Sequence, residues 1–198
     1  MLSEHVARAD RGYAGLVMSA AEYLALGERE QRYELVNGVV VMSPGRRPRH
    51  WRFVEEVLDQ LKAFAKPRGG FETYADTDLC IDGVTVLRPD LCVYARPRAR
   101  RAPERLDQPP DLVVEINSPG NKAYDLETKR RTYERFGVRE YWSIDPWDPA
   151  EPPGMRVRAW WLQGGKFEDF ARERDGLASR AIGGFVLDLR PLREIAGE

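Results

Sequence analysis

The sequence predicts a single α/β domain with a mixed β-sheet core, and three observations predict it. The chain has 198 residues, of which 42% are hydrophobic and 32% charged, and that is enough for one domain with a sizeable core. Short apolar runs bounded by turn residues alternate with segments of helical periodicity. Strands predicted at 111–116 and 140–145 flank one such segment, which is typical of a βαβ unit.

The N-terminal part of the chain divides into an arm and the start of the domain. Residues 1–17 are predicted to form a flexible arm and residues 18–198 the single domain. Ser19 with Glu22 three positions later is a capping box that starts a short helix, and Gly27 ends that helix.

A hairpin and a long helix follow. The segment YELVNGVVVMSP indicates two strands around the turn at Asn37-Gly38, which we expect to form an N-terminal hairpin. The segment from Arg46 to Pro67 is the clearest helix, because apolar residues recur in it at spacings of three and four. The residues of this predicted stripe are Trp51, Val54, Leu58, Leu61 and Ala65.

The rest of the chain is predicted to be mostly strands. An Arg- and Pro-rich connector, ARPRARRAPERLDQPP, separates the strand before it from a nearly continuous apolar strand at 111–116, which we expect to be central. A helix is predicted at 122–136, closed by Gly137, and a C-terminal hairpin over Gly164-Gly165. The remaining predicted strands are 71–75, 78–82, 84–87, 91–95, 140–145 and 185–189.

Charge and composition exclude several classes of protein. The net charge of −1 argues against a globally basic nucleic-acid binder, although a local basic face stays possible. The sequence has no apolar run of ~18 residues and no secretory signal, so we expect a cytoplasmic protein. Cys80 and Cys92 are expected to be free thiols, and neither these nor the two histidines show zinc spacing.

Two carboxylates lie in segments that otherwise favour burial. Asp90 opens the apolar run RPDLCVYA, and Glu115 lies near the end of DLVVEINSPG. A turn residue after proline explains Asp90 nearly as well as a functional role. Glu115 is harder to explain in that way, because its neighbours are apolar and the carboxyl end of a central strand is where open α/β sheets build their sites.

Together these acids favour a metal site. Two carboxylates on adjacent strand ends provide the hard oxygen ligands that Mg²⁺ or Mn²⁺ prefers, and the carbonyl of Ile116 can add a third. A structural ion pair or cap is the alternative. Lys129 lies on the apolar face of the next helix with Leu126 and Tyr133. It can either serve such a site or snorkel, with its stem over the core.

The ordered set of motifs resembles a known family. Pro89-Asp90, then Glu115 with Ser118-Pro119, then Asp125 with Lys129, and then GVREYWSIDP follow one another as in the PD-(D/E)xK nuclease superfamily. More narrowly, they resemble its bacterial restriction-endonuclease-like proteins, and the likeness covers roughly residues 19–190. It implies a restriction-endonuclease-like mixed sheet flanked by helices, with hairpin extensions at both ends.

The resemblance also implies roles for individual residues. The superfamily lysine two positions after the glutamate is replaced by Asn117, and Lys129 on the following helix stands in for it. Asn117 is then a strand-end cap or a water ligand. Glu34 is implied as an additional acid, although an exposed salt bridge explains it nearly as well. His50 can contact phosphate or be solvated at its helix N-terminus.

The function expected from these residues is metal-dependent cleavage of DNA, with Asp90, Glu115, Lys129 and Glu34 as the catalytic set. Mg²⁺ or Mn²⁺ is the expected cofactor, DNA the expected partner and a homodimer a plausible assembly. An inactive DNA-binding or scaffold protein is the alternative. A small-molecule phosphodiesterase is a third possibility, but the sequence contains no Gly-rich phosphate cradle. The expected nucleic-acid contacts are His50, Arg46, Arg47, Arg49, Arg98, Arg100 and Arg101.

Overall fold

The predicted α/β class with a mixed sheet is confirmed. The structure, a computed structural model, describes residues 12–27, 31–43, 47–67, 71–95, 105–117, 124–148, 154–170 and 175–197. Its helices are α1 (Ala20–Leu24), α2 (Pro48–Ala65), α3 (Arg130–Phe136), which continues a π-helical turn (Tyr124–Lys129), and α4 (Arg190–Gly197). No helix in these ranges is long and apolar enough to cross a membrane.

The strands form three sheets. The main sheet has six strands in the order β10-β9-β8-β7-β6-β3, and a four-stranded sheet has the order β2-β1-β5-β4. The third is the small pair of β11 and β12. The strands are β1 (Tyr33–Val36), β2 (Val39–Met42), β3 (Phe71–Ala75), β4 (Leu79–Asp82), β5 (Thr85–Leu87), β6 (Leu91–Ala95), β7 (Leu112–Ile116), β8 (Glu140–Asp145), β9 (Arg156–Gln163), β10 (Lys166–Asp169), β11 (Gly176–Ala178) and β12 (Val186–Asp188).

Strand β7 is central and buried along its whole length. It pairs in parallel with β8 and antiparallel with β6, so the sheet is mixed as predicted. Leu112, Val114 and Ile116 pack on one face with α2 and α4, whereas Val113 packs on the other face with Tyr133 of α3. Cover on both faces explains why this strand is a nearly continuous apolar run.

The N-terminal hairpin forms as predicted, and it belongs to the four-stranded sheet. Asn37 and Gly38 both have positive φ, 49° and 81°, as a type I′ turn between antiparallel strands requires. The predicted arm falls mainly on residues 1–11, which lie outside the described residues. Its last residues pair with β2, where Val17 forms a bridge to Val39.

The helices differ from expectation in three places. The helix predicted at 122–136 begins as the π-helical turn in the described residues, and 122–123 lie outside them. Trp51, predicted to lie in the buried stripe of α2, is 37% exposed, because the buried face is rotated toward His50, Phe53 and Val57. Helix α4 was not predicted, since its eight residues carry only a short apolar stripe. Its start signal was missed: Asp188 Oδ1 accepts the backbone N–H of Arg190 at 2.9 Å.

Candidate active site

Asp90 and Glu115 meet at one edge of the main sheet. The pairing of Leu91 with Val114 makes the start of β6 adjacent to the carboxyl end of β7, so Asp90 comes to lie beside Glu115. The carboxylate of Asp90 is fully buried, and its Oδ2 accepts a hydrogen bond from the backbone N–H of Ile116 at 2.7 Å. The two acids singled out from the sequence therefore lie on adjacent strand ends, as expected.

One oxygen of Glu115 is held by two donors. Its Oε1 accepts hydrogen bonds from Lys129 Nζ at 3.0 Å and from Tyr133 Oη at 2.6 Å. Its Oε2 has no hydrogen-bond partner among the residues that the structure describes. Because both donors bind the same oxygen, the carboxylate is fixed with its second oxygen available to a ligand.

Lys129 is a buried lysine at the end of the π-helical turn. Its side chain is 3% exposed, and its Nζ lies 2.9 Å from Glu34 Oε1 as well as 3.0 Å from Glu115 Oε1. The alternative of a snorkelling lysine is therefore wrong, since a snorkelling ammonium would lie in solvent. The amine of Lys129 therefore reaches Glu115 from the helix face that the sequence predicted.

Glu34 comes from the other sheet and is not on the surface. It lies in β1, and its Oε1 also accepts the backbone N–H of Arg88 at 2.8 Å, while Ser43 Oγ lies 3.3 Å from its Oε2. Its carboxylate is buried, so the alternative of an exposed salt bridge is wrong. Glu34 holds the ammonium of Lys129 and connects the two sheets through this ion pair.

His50 also reaches this site. Its Nε2 lies 3.0 Å from the carbonyl oxygen of Ile116 and 3.2 Å from Asp90 Oδ2. The ring is buried, so the solvated alternative is wrong. Its Nδ1 has no hydrogen-bond partner among the described residues, so Nε2 is the ring nitrogen that contacts both oxygens.

Arg32 is a site residue that the sequence analysis missed. Its side chain is 15% exposed. Its Nη2 lies 3.6 Å from Asp90 Oδ1, and its Nε lies 3.3 Å from Asp76 Oδ1. The Nη2 nitrogen also donates to the carbonyl of Arg88. The sequence did contain a signal for Arg32. It lies two residues before Glu34 in an extended segment, and alternate residues of such a segment lie on the same face.

Burial and charge shift the pKa values of this cluster. Burial raises the pKa of Glu115, the charges of Asp90 and Glu34 raise it further, and Lys129 acts to lower it. For Arg32, burial acts to lower the pKa, but the surrounding carboxylates outweigh burial and raise it. Burial also raises the pKa of the adjacent Cys92 thiol well above its ordinary value.

The donor atoms present fit a hard divalent cation. Asp90, Glu115 and the carbonyl of Ile116 supply only oxygen, which matches a magnesium ion that keeps several of its waters. In the described part of the chain, no group of three or more His, Cys, Asp and Glu side chains is arranged to hold a metal by itself. The carbonyl and water would therefore have to complete the coordination of the two carboxylates.

Asn117 stands where the superfamily pattern has its lysine. Its side-chain Nδ2 donates to Ser143 Oγ at 2.9 Å, and its backbone N–H donates to the carbonyl of Ile144 at 2.7 Å. These bonds give it the role of a strand-end cap between β7 and β8. Its Oδ1 is buried without a hydrogen-bond partner among the described residues, and it shares the face of Glu115 two residues earlier.

The predicted nucleic-acid contacts have different surroundings. Arg47 is exposed at the start of α2. Arg49 instead donates from Nε to the carbonyl of Ile195 at 3.2 Å and from Nη2 to that of Ala196, so its guanidinium is used within the fold. Four predicted contacts lie outside the described residues, and these are Arg46, Arg98, Arg100 and Arg101.

Comparisons with known proteins identify a solved structure of similar fold. The chain superposes with a TM-score of 0.74 on a crystal structure described as a "putative nuclease belonging to DUF820" from Anabaena variabilis, at 21% identity over 90% of this chain and 99% of that one. That similarity shows the fold. No curated protein matches the chain.

The family itself is shown by a sequence match. The model of the Uma2 family, described as "Putative restriction endonuclease", matches residues 20–151, which is about two thirds of the chain. This segment includes Glu34, Asp90, Glu115 and Lys129. The match is consistent with the PD-(D/E)xK-like resemblance of the motifs. The chain therefore belongs to the Uma2 family of restriction-endonuclease-like proteins.

Proposed function

We propose that this protein is a metal-dependent endonuclease that hydrolyses phosphodiester bonds in DNA. One observation carries the proposal: the buried ammonium of Lys129 lies 3.0 Å from Glu115 Oε1, at the strand edge where Asp90 meets Glu115. Two acids and a lysine that are distant in sequence converge there. Membership of a restriction-endonuclease-like family supports the same conclusion.

The metal in this proposal is Mg²⁺ or Mn²⁺. Asp90, Glu115 and the carbonyl oxygen of Ile116 would hold it. When bound, such an ion supplies Lewis-acid polarisation of the phosphoryl oxygen and lowers the pKa of a bound water. The hydrogen bonds from Tyr133 and Lys129 to Glu115 Oε1 keep the carboxylate oriented for this role.

Lys129 carries the positive charge that the reaction requires from the protein. A buried ammonium can orient an attacking water and stabilise negative charge that develops on the phosphoryl oxygens. Glu34 keeps this amine in place through the 2.9 Å ion pair. His50 Nε2 contacts both Asp90 and the Ile116 carbonyl, so a helix side chain supports these two ligand atoms.

Cleavage assays with matched variants test this proposal. We expect plasmid and oligonucleotide DNA to be cut by the wild type in Mg²⁺ or Mn²⁺, and not by Asp90→Ala or Lys129→Ala. Glu127→Gln is the control, because Glu127 is exposed and its ion-pair partner in the described part of the chain is Arg131. Equal cleavage by wild type, Asp90→Ala and Lys129→Ala would show that the activity belongs to a contaminant.

An inactive nuclease fold that binds DNA or serves as a scaffold is the second candidate. Asn117 favours it, because a neutral cap occupies the position of the superfamily lysine. Calorimetric titration with Mn²⁺ separates the two candidates: an active site requires divalent-ion binding that is lost in Glu115→Gln. A protein that binds DNA with a steep salt dependence but binds no metal through Glu115 would be the inactive module.

The proposal also includes a partner, a location and an assembly. DNA is the proposed partner and the cytoplasm the proposed location. A homodimer is the proposed assembly, because a two-fold pair can cut both strands of a duplex. Light scattering at several protein concentrations measures the oligomeric state directly, and a strict monomer that still cuts duplex DNA would remove the dimer from this account.

A further inference from the structure

The fixed charges of the site are nearly balanced before any cation binds. Glu34, Asp90 and Glu115 contribute three negative charges, and Arg32 and Lys129 contribute two positive charges. The net charge of these five side chains is therefore −1, which is low for a site that is to hold a divalent ion. The neighbouring Asp76 and Arg88 pair with each other at 2.9 Å and add no net charge.

Arg32 is the residue that makes the site less negative beside Asp90. Its guanidinium is largely buried and lies 3.6 Å from Asp90 Oδ1, one of the expected metal ligands. A divalent ion bound to that oxygen at ~2.1 Å would lie within about 6 Å of the guanidinium. Two positive charges at that distance repel each other, so Arg32 opposes cation binding even though it orders the carboxylate.

We propose that Arg32 lowers the affinity of the substrate-free site for a divalent cation, and that a bound phosphodiester restores it, so that metal and substrate bind cooperatively. This inference rests on the proposed nuclease function. One divalent ion changes the net charge of the group from −1 to +1, and one phosphodiester monoanion then brings it to zero. The charges therefore match one metal ion and one scissile phosphate, and a second divalent ion would leave an excess of positive charge.

Calorimetric titration with Mn²⁺ alone tests the first half of the proposal. We expect Arg32→Gln to bind Mn²⁺ about tenfold more tightly than the wild type, because it removes one charge about 6 Å from the ion in a water-like dielectric. Arg32→Lys keeps the charge and is expected to stay within about threefold of the wild type. Arg131→Gln is the matched control, since this exposed arginine follows Lys129 by two residues but pairs with Glu127.

A second variant protects the test against misfolding of Arg32→Gln. Asp76 lies 3.3 Å from the same guanidinium and is partly exposed. Asp76→Asn removes a negative charge near the site, so it is expected to weaken Mn²⁺ binding. Equal or weaker Mn²⁺ binding by a folded Arg32→Gln would overturn the proposal, as would tighter binding by Asp76→Asn if Arg32→Gln does not fold.

Dimethyl phosphate, a minimal phosphodiester, tests the second half. It is expected to raise the Mn²⁺ affinity of the wild type relative to chloride at equal ionic strength, and to raise that of Arg32→Gln by less. No gain in the wild type would overturn the proposed cooperativity. These titrations need no cleavage, so a protein that shows both effects but never cuts DNA would refute the nuclease function and leave the charge effect intact.

Discussion

The central strands bury a glutamate at each end, and the two glutamates differ in the partners that surround them. Glu115, at the carboxyl end of β7, faces two other carboxylates and the buried charges of Lys129 and Arg32. Glu140, at the start of β8, accepts hydrogen bonds from Trp142 Nε1 at 2.6 Å and from Ser179 Oγ and the backbone N–H of Ala181, both at 2.7 Å. Burial raises the pKa of both glutamates.

The difference teaches that burial of an acid is not by itself a sign of function. Glu140 is as buried as Glu115, but its partners are neutral donors that fasten the segment around Ser179 to the sheet. At the other end, like charges are held together and one oxygen of Glu115 is left without a hydrogen-bond partner among the described residues. Convergence of like charges around an available oxygen is the feature that marks a candidate active site.

The largest expected effect is a loss of cleavage rate at the Glu115 end, and it is tested by variants of Lys129 and Asn117. Lys129→Met is expected to lower the cleavage rate at least about 10²-fold, because the buried positive charge is lost. If the superfamily lysine has been relocated, adding Asn117→Lys to that variant places an ammonium on the same face of β7 as Glu115 and restores part of the rate. Single-turnover cleavage of an oligonucleotide measures both effects.

The single variant Asn117→Lys is the control for that rescue. With Lys129 present, a second ammonium adds a like charge and breaks the hydrogen bond to Ser143, so its rate is expected to be below that of the wild type. A double variant no more active than Lys129→Met, while still folded, would contradict the idea that the two positions serve one function.

The structural end of the sheet is tested by Glu140→Ala. This change leaves three donors, two of them in fully buried hydrogen bonds, without their acceptor, and we expect it to lower the free energy of unfolding by about 3–5 kcal/mol. Thermal unfolding should show a melting temperature lower by about 2–4 °C per kcal/mol. Cleavage per folded molecule should not change, whereas Glu115→Gln should abolish cleavage.

Much of the site could be predicted from the sequence because its residues break local patterns. Glu115 interrupts an apolar strand and Lys129 interrupts an apolar helix face, and each departure is visible within a few residues. The contact of Arg32 with Asp90 was not visible, because it depends on how the four-stranded sheet is placed against the main sheet. His50 was considered, but its burial against Ile116 depends on the rotation of α2.

The fold could be predicted to a similar extent, and for similar reasons. Strong local signals, such as the Asn37-Gly38 turn, the capping box at Ser19 and the left-handed Gly137, all appear in the structure. Helix α4 and strand β11 were missed because both are short, and so short an element depends on tertiary contacts for its stability.

A variant of Tyr133 is expected to have a smaller effect, on metal affinity at the Glu115 end of the sheet. Its hydroxyl donates to Glu115 Oε1 at 2.6 Å, so Tyr133→Phe removes one of the two donors that orient the carboxylate. Loss of such a contact to a metal ligand typically costs 10- to 100-fold in metal affinity, and we expect a Mn²⁺ titration to show a loss in that range. Tyr141→Phe, in the neighbouring ring, is the control, and an equal loss there would point to packing instead of orientation.

The smallest expected effect separates two arginines at the start of α2. Arg47 is exposed, whereas Arg49 donates to the carbonyls of Ile195 and Ala196 and lies 5.9 Å from the ring of Trp147. Arg47→Ala is therefore expected to reduce the slope of log K against log salt for DNA binding by about 0.9, the value for one phosphate contact. Arg49→Ala should lower stability by about 1 kcal/mol through its lost hydrogen bonds and leave the salt slope unchanged. Fluorescence anisotropy at several salt concentrations measures the slopes, and a change of slope in Arg49→Ala alone would mean that the anchored arginine is the one that reaches DNA.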